Sequence, residues 1–191
     1  MTKTPAHPRE ALFEAAEQLL IEEGGEAITT RRVAARAGLP AGLVHYHLGT
    51  MDALLEGLAG RVGNRLLAGQ RALLDAPIPF ADRWHAAVVS TGEDTWRAWM
   101  ALRAMGWGRP GLRAAVAGVE REWQAVLAEA VGRAVEDAGV GPAAAGPLAA
   151  MACALLHGIA EERLSVGSDG HAAILQWSEG LLLALGEPAP A

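Results

Sequence analysis

The segment RRVAARAGLPAGLVHYHLGT, Arg31–Thr50, decides how the chain is read. It holds three arginines and no carboxylate, a Gly-Leu-Pro-Ala-Gly interruption, and two histidines bracketing a tyrosine. Thr29 just before it is a good N-cap for a short helix ending near Ala37, with Val33, Ala34 and Ala37 facing inward. Gly38 ends that helix, and Pro40 opens another, proline being tolerated in a first helical turn. Gly49 stops the second helix after Leu48, and Val44 and Leu48, four apart, anchor it. The small side chains of Pro-Ala-Gly let its first turn approach a surface closely. Two short helices joined by a glycine-containing turn form a helix-turn-helix, whose second helix enters the major groove of DNA while the first crosses the backbone.

Electrostatics points the same way. Arg31 and Arg32 occupy the first helical turn, where the macrodipole disfavours cations. Arg32 also stands three residues after the cap, where a capping box prefers Glu or Gln. That placement predicts an external partner, phosphate or base edge.

The His-Tyr-His run invites a metal or catalytic reading, and geometry excludes both. His45 and His47 are two residues apart, about 200° around a helix, so they cannot share an ion as an i, i+4 pair can. A general-base histidine needs a nucleophile or carboxylate beside it, and the segment has neither. We therefore expect no metal site, no cofactor and no catalytic residues; the chain reads as a protein other than an enzyme. His47 is expected to donate to a phosphate and His45 to face bases or sugar. A capping or packing role for one histidine stays open, as does a core position for Tyr46.

Outward from this segment the pattern is helical nearly throughout. Leu12, Phe13, Ala16, Leu19 and Leu20 recur at three-to-four-residue spacing, predicting an amphipathic helix from about Arg9 to Glu23 that Gly24-Gly25 stops. Thr50 caps a fourth helix with Leu54, Leu55, Leu58, Val62 and Leu66 on one face. The two prolines of DAPIPF, Asp75–Phe80, forbid a continuous helix and mark a joint. Further helices are expected at about 80–91, 93–106, 110–138, 143–165 and 170–185, and the tail GEPAPA is expected to fray. The fold class is all-α with about nine helices.

Composition narrows the function. About half the 191 residues are apolar and a fifth charged, as in globular chains rather than disordered ones. No stretch reaches the roughly 20 apolar residues of a membrane span. The polar start MTKTPAHPRE lacks the apolar core of a signal peptide, and one cysteine, Cys153, rules out an internal disulfide. A cytoplasmic protein is expected. The net charge of −6 argues against indiscriminate coating of nucleic acid, yet residues 27–51 are free of acids. A local basic patch on an acidic body suits contact with phosphate in one place.

The stretch ITTRRVAARAGLPAGLVHYHLGTMDALLEGLA, Ile28–Ala59, resembles the DNA-binding region of the TetR family of transcriptional regulators. The shared frame is a T-x-R-x-h-A-x-x-h-G-h turn, a short helix with a Y/H-x-H ending, a Gly-Thr step, and an acidic residue before Ala-Leu-Leu. The resemblance implies that Thr29 and Thr30 meet the DNA backbone and that Arg31, with Arg32 beside it, serves the duplex, Arg31 reading bases. It also implies that Ala41, Gly42, Leu43 and His45 face the groove while Tyr46 and His47 hold flanking phosphates. Ala41 and Leu43 stand where the family often has polar residues or Lys, so contact with thymine methyls replaces part of the hydrogen-bonded readout. Met51 stands where Lys is common, and Leu48 replaces the usual Phe.

For the rest of the chain the resemblance implies a pocket for an unknown small-molecule effector and a homodimer formed by the last two helices. All six tryptophans lie from Trp84 onward. Trp96, Trp99, Met100 and Arg103 follow helical spacing, with Trp84, Trp107 and Trp123 near in sequence and His157 isolated on an apolar helix. These eight are the candidate effector contacts, with core packing the competing role. Small residues at Ala145, Ala149, Ala152 and Gly180 permit close helix packing in a symmetric four-helix interface. Pairing would present six arginines to one palindromic double-stranded operator. The expected division is 1–50 for DNA binding, 51–74 as connector and 75–191 for ligand binding and dimerisation. The expected function is a repressor released from its operator by a small, largely apolar ligand. The alternative is a ligand-independent architectural or protein-recruiting DNA-binding factor.

Overall fold

Eight α-helices and no strand account for the described residues, 7–89, 92–137, 139, 143, 145–166, 173, 176 and 177 of the computed structural model. They are α1 (Pro8–Glu23), α2 (Thr30–Arg36), α3 (Gly42–Leu48), α4 (Met51–Leu74), α5 (Phe80–Val89), α6 (Glu93–Met105), α7 (Pro110–Asp137) and α8 (Ala145–Glu161). Short 3-10 turns follow α1 and α6, at Gly25–Ala27 and Gly106–Gly108. The helix expected at 143–165 is α-helical only to Glu161 and widens to a π turn over Glu162–Val166. Of the expected helix at 170–185 only residues 173, 176 and 177 are described; Gly180 and the tail lie outside the described residues.

The chain packs as two compact units, each made of separate segments. Residues 1–65 and 94–119 form one; residues 66–93 and 120–191 form the other. The breaks fall inside α4, after the first residue of α6, and inside α7.

In the first unit α1 is the platform. It packs on α2 and on α3, which also pack on each other. Leu12, Phe13, Ala16, Leu19 and Leu20, spaced as the sequence predicts, are all buried, as are Val33, Ala34 and Val44 from the two short helices. Each buried Leu or Phe contributes about 1.5–3 kcal/mol by leaving water. Phe13 also receives α4: a Cβ on Gly57 would lie 2.7 Å from Phe13 Cζ, so only glycine allows this approach without displacement. The Arg9 and Arg61 guanidinium groups lie 5.3 and 5.1 Å from the Phe13 ring centroid. Ion pairs Arg61–Glu10 and Arg65–Glu17 join α4 to α1 at the surface.

In the second unit the end of α4 is tied to α5 by polar contacts to the backbone. Gln70, fully buried, donates from Nε2 to the Ala87 carbonyl at 2.8 Å. Arg83 donates to the Leu74 carbonyl at 2.9 Å, serving one of the carbonyls left open where α4 ends. The prolines of DAPIPF thus separate two helices that side chains rejoin. Trp84, Trp123, Leu127, Cys153 and Leu156 are buried in this unit, where α5 packs on α8.

Candidate nucleic-acid interface

Backbone hydrogen bonds fix the turn between α2 and α3. The Leu39 N–H donates to the Ala34 carbonyl at 2.9 Å and the Gly38 N–H to the Ala35 carbonyl at 3.2 Å. This is a Schellman ending, and it needs a positive φ at the residue after the cap. Gly38 supplies it, at +68°. The motif drives Leu39 inward until it is 6% exposed, a core position that periodicity alone does not mark. α3 starts at Gly42 rather than at Pro40, because the first bonds after the turn are of the shorter 3-10 kind, Leu43 N–H to Pro40 O and Val44 N–H to Ala41 O.

At the start of α2, the Thr29 hydroxyl accepts from the Arg32 N–H at 3.3 Å, the N-cap that the sequence predicts. Capping uses the oxygen as acceptor and leaves the hydroxyl proton for an outside acceptor. Thr30 is half-buried, and Arg31 and Arg32 are exposed.

The arginines differ from the expectation of an external partner for both Arg31 and Arg32. The last turn of α1 lies beside α2. There Arg32 Nη2 contacts both oxygens of Glu23 at 2.5 Å, and Arg36 Nη2 pairs with Glu22 at 2.8 Å and reaches Glu23 at 3.7 Å. The compensation inferred for Arg32 is therefore internal. Among the described residues, Arg31 alone of the three has no carboxylate partner. The hydrogen bond from Arg36 holds the Glu22 carboxyl below its usual range, and the same bond raises Arg36. A depressed carboxylate stabilises above its unfolded pKa and loses that contribution as the pH falls through the folded value. The tie between α1 and α2 is thus intact at neutral pH and loosens in acid, by a small amount because the pair is exposed.

On α3, Val44 is buried and Leu48 half-buried, while Ala41, Gly42, His45 and Tyr46 are exposed and Leu43 and His47 half-buried. Tyr46, 81% exposed, is a surface residue, so a core position does not hold for it. Its ring meets that of His47 edge to face, centroids 4.9 Å apart. His45 Nδ1 lies 2.8 Å from the Gly49 carbonyl. A carbonyl only accepts, so Nδ1 carries the proton and neutral His45 has Nε2 as its acceptor nitrogen. Gly49 then turns the chain at φ +74°, and the Thr50 hydroxyl caps α4 by accepting from the Ala53 N–H at 3.0 Å. The face built from α2, the turn and α3 offers a guanidinium, a hydroxyl donor, a phenol, an imidazole acceptor and small apolar side chains.

The candidate effector contacts divide between the units. Trp96, Trp99, Met100, Arg103 and Trp107 belong to the first; Trp84, Trp123 and His157 belong to the second. Trp99 and Trp123 are fully buried and Trp84 and Trp96 nearly so. Trp107, on the glycine-flanked 3-10 turn, is 87% exposed and lines no buried wall. Sequence reasoning missed Glu22 and Glu23, whose signal is their place at the end of the helix before the arginines.

Residues 12–58 match the family model described as bacterial regulatory proteins, tetR family. A transcriptional regulator from Rhodococcus sp. Rha1 shares 20% identity over 95% of this chain and 99% of its own, with a TM-score of 0.78. A structure from Rhodococcus sp. assigned to the TetR-family transcriptional regulators shares 20% over 94% and 98%, with a TM-score of 0.72. The multidrug binding protein EbrR complexed with ethidium shares 21% over 94% and 98%, with a TM-score of 0.69. No curated protein matches the sequence. No helix among the described residues is long and apolar enough to cross a membrane. At these identities the solved structures share the fold of this chain. Residues 12–58 belong to the tetR family of bacterial regulatory proteins, and carry its helix-turn-helix at the head of an all-helical chain.

Proposed function

We propose that the chain is a homodimeric transcriptional repressor that holds a palindromic operator and releases it when a small, largely apolar ligand binds. The observation that carries this reading is the outward face of the helix-turn-helix. Arg31, His45 and Tyr46 project outward from a segment whose Val33, Ala34, Leu39 and Val44 are turned inward. Arg31 reads base edges from the first turn of α2, and Ala41, Gly42 and Leu43 lie close to the groove floor. Neutral His45, an acceptor at Nε2, suits the amino donors of cytosine or adenine. Thr29, Thr30, Tyr46 and His47 hold phosphates. Arg32, balanced by Glu23, serves as an auxiliary contact.

Residues 1–50 bind DNA in this reading, α4 connects, and residues 75–191 bind the effector and dimerise. The exposed Met151 on α8 supports dimerisation, at 59% exposure on a helix almost free of charge. Paired copies present their α3 helices about 34 Å apart, one turn of the duplex. Complexes of EbrR with imidazole, ethidium and proflavin support an effector of the same broad kind. The Trp99 indole N–H, buried with no acceptor among the described residues, is a donor for such a molecule. A ligand preferring the dimer in which the two α3 helices miss groove spacing drives release.

Selection of bound genomic fragments, followed by gel-shift titration at fixed salt, tests the reading. A palindromic fragment bound by two copies and released by an apolar small molecule is expected. Dye binding is measured on protein free of DNA, because ethidium and proflavin also intercalate. Tight binding that no ligand relieves would instead favour an architectural or protein-recruiting factor.

Two substitutions refine the interface. His47→Ala removes a phosphate donor, so affinity falls by a similar factor on every sequence. Equal loss only on the selected operator would move His47 to base reading. Glu23→Gln frees Arg32, so affinity for any duplex rises and the dependence of log K on log salt steepens by about 0.9. An unchanged slope at unchanged melting temperature would show that Arg32 does not reach DNA.

A further inference from the structure

Three side chains with metal-binding chemistry converge in the second unit, outside the helix-turn-helix. Glu120 comes from α7, and Cys153 and His157 from α8. One ligand atom from each lies within 4.8 Å of the others. Cys153 and His157 are four apart, on one face of their helix. His157 Nε2 is 3.1 Å from Glu120 Oε1, and its Nδ1 is 2.9 Å from the Cys153 carbonyl and 4.0 Å from the Cys153 sulfur. The carbonyl accepts from Nδ1–H, which fixes the tautomer and directs Nε2 at the carboxylate. Metal-bound histidines are held in this way, by a hydrogen bond on the far nitrogen. Nε2 and a carboxylate oxygen at this separation repel unless a proton or a cation lies between them.

Size and surroundings fit a cation. Zinc bonds of about 2.0 Å to nitrogen and oxygen and 2.3 Å to sulfur place two ligands of one ion roughly 3.3–3.5 Å apart. At 3.1 Å the nitrogen–oxygen pair is a few tenths of an ångström tighter than that spacing, and the sulfur, within 4.8 Å, moves closer to join it. Cys153 is 4% exposed, and the side chains of His157 and Glu120 are 12% and 17% exposed, so the cluster is shielded yet reachable. The Trp123 ring, edge-on with its centroid 4.5 Å from that of His157, holds the imidazole in place.

We propose that Glu120, Cys153 and His157 bind one divalent cation of the zinc class, with water or an added ligand in the fourth position. A thiolate, an imidazole and a carboxylate select borderline ions over magnesium or calcium. Binding replaces the Cys153 thiol proton, which passes to solvent. The site revises the sequence expectation of no metal, and moves His157 from effector contact to metal ligand. It stands independently of the repressor reading.

The test uses the full chain stripped of metal and titrated with Zn²⁺ against a chromophoric chelator, and separately with Co²⁺. One equivalent per chain is expected, with a thiolate-to-cobalt charge-transfer band in the near ultraviolet. Cys153→Ser should abolish the band, and His157→Gln should weaken zinc binding by about 10-fold or more. Far-ultraviolet circular dichroism checks that both variants fold. Cys153 is the only cysteine in the chain, so the unsubstituted protein is decisive even if a variant misfolds. Absence of the band there, or zinc binding unaltered in a folded His157→Gln protein, overturns the proposal and leaves an imidazolium–carboxylate pair.

Discussion

Replacing Arg31 with alanine will reduce operator affinity by about 1–3 kcal/mol for each copy bound, while weakening binding to unrelated duplex much less. The effect is large because Arg31 has its full charge to spend on DNA. Arg32 and Arg36 are held by Glu23 and Glu22, so substitutions there exchange one partner for another. Arg31 is exposed and two residues past the Thr29 cap, making no contact that the fold needs. Melting temperature should therefore stay unchanged. The measurement is a gel-shift titration of the selected fragment and of a scrambled one at fixed salt. If both titrations fall equally, Arg31 contacts phosphate and the base reader lies on α3.

The second large effect concerns the platform under the helix-turn-helix. Phe13→Ala should cost about 3–5 kcal/mol, because the ring is 3% exposed and fills the space between α1 and α4. Gly57→Ala should cost about 1–3 kcal/mol in the native background, since its Cβ would lie 2.7 and 2.9 Å from Phe13 ring carbons. With Phe13 already shortened, the obstruction is gone. Gly57→Ala then gains about 1 kcal/mol of helix propensity, and its effect changes sign. Urea unfolding of the four proteins measures this cycle. A cost at Gly57 that persists in the Phe13→Ala background would place the strain elsewhere.

The extent to which the sequence predicted the structure follows from the range of each interaction. The Thr29 and Thr50 caps, the stop at Gly49 and the buried face of α1 all formed as read, since each depends on residues within a few positions. Pro40 was a less exact guide: a 3-10 step after the Schellman turn delays α3 by two residues. That turn also buries Leu39, which the apolar periodicity did not single out. Among the tryptophans, helical spacing put Trp96 and Trp99 together in the core, but offered no means of telling Trp107 from them, because its exposure depends on a short turn.

By itself the sequence determined an all-helical chain, the caps at Thr29 and Thr50, the stops at Gly38 and Gly49, and the resemblance carried by Ile28–Ala59. These rest on backbone preferences and capping, which neighbouring residues settle. Only the tertiary structure decided which of the three arginines has no carboxylate partner among the described residues, because Glu22 and Glu23 reach Arg36 and Arg32 only once α1 packs on α2. It alone brought Glu120 to Cys153 and His157. Periodicity tells which face of a helix turns inward; which residues meet there depends on how one helix lies against the next.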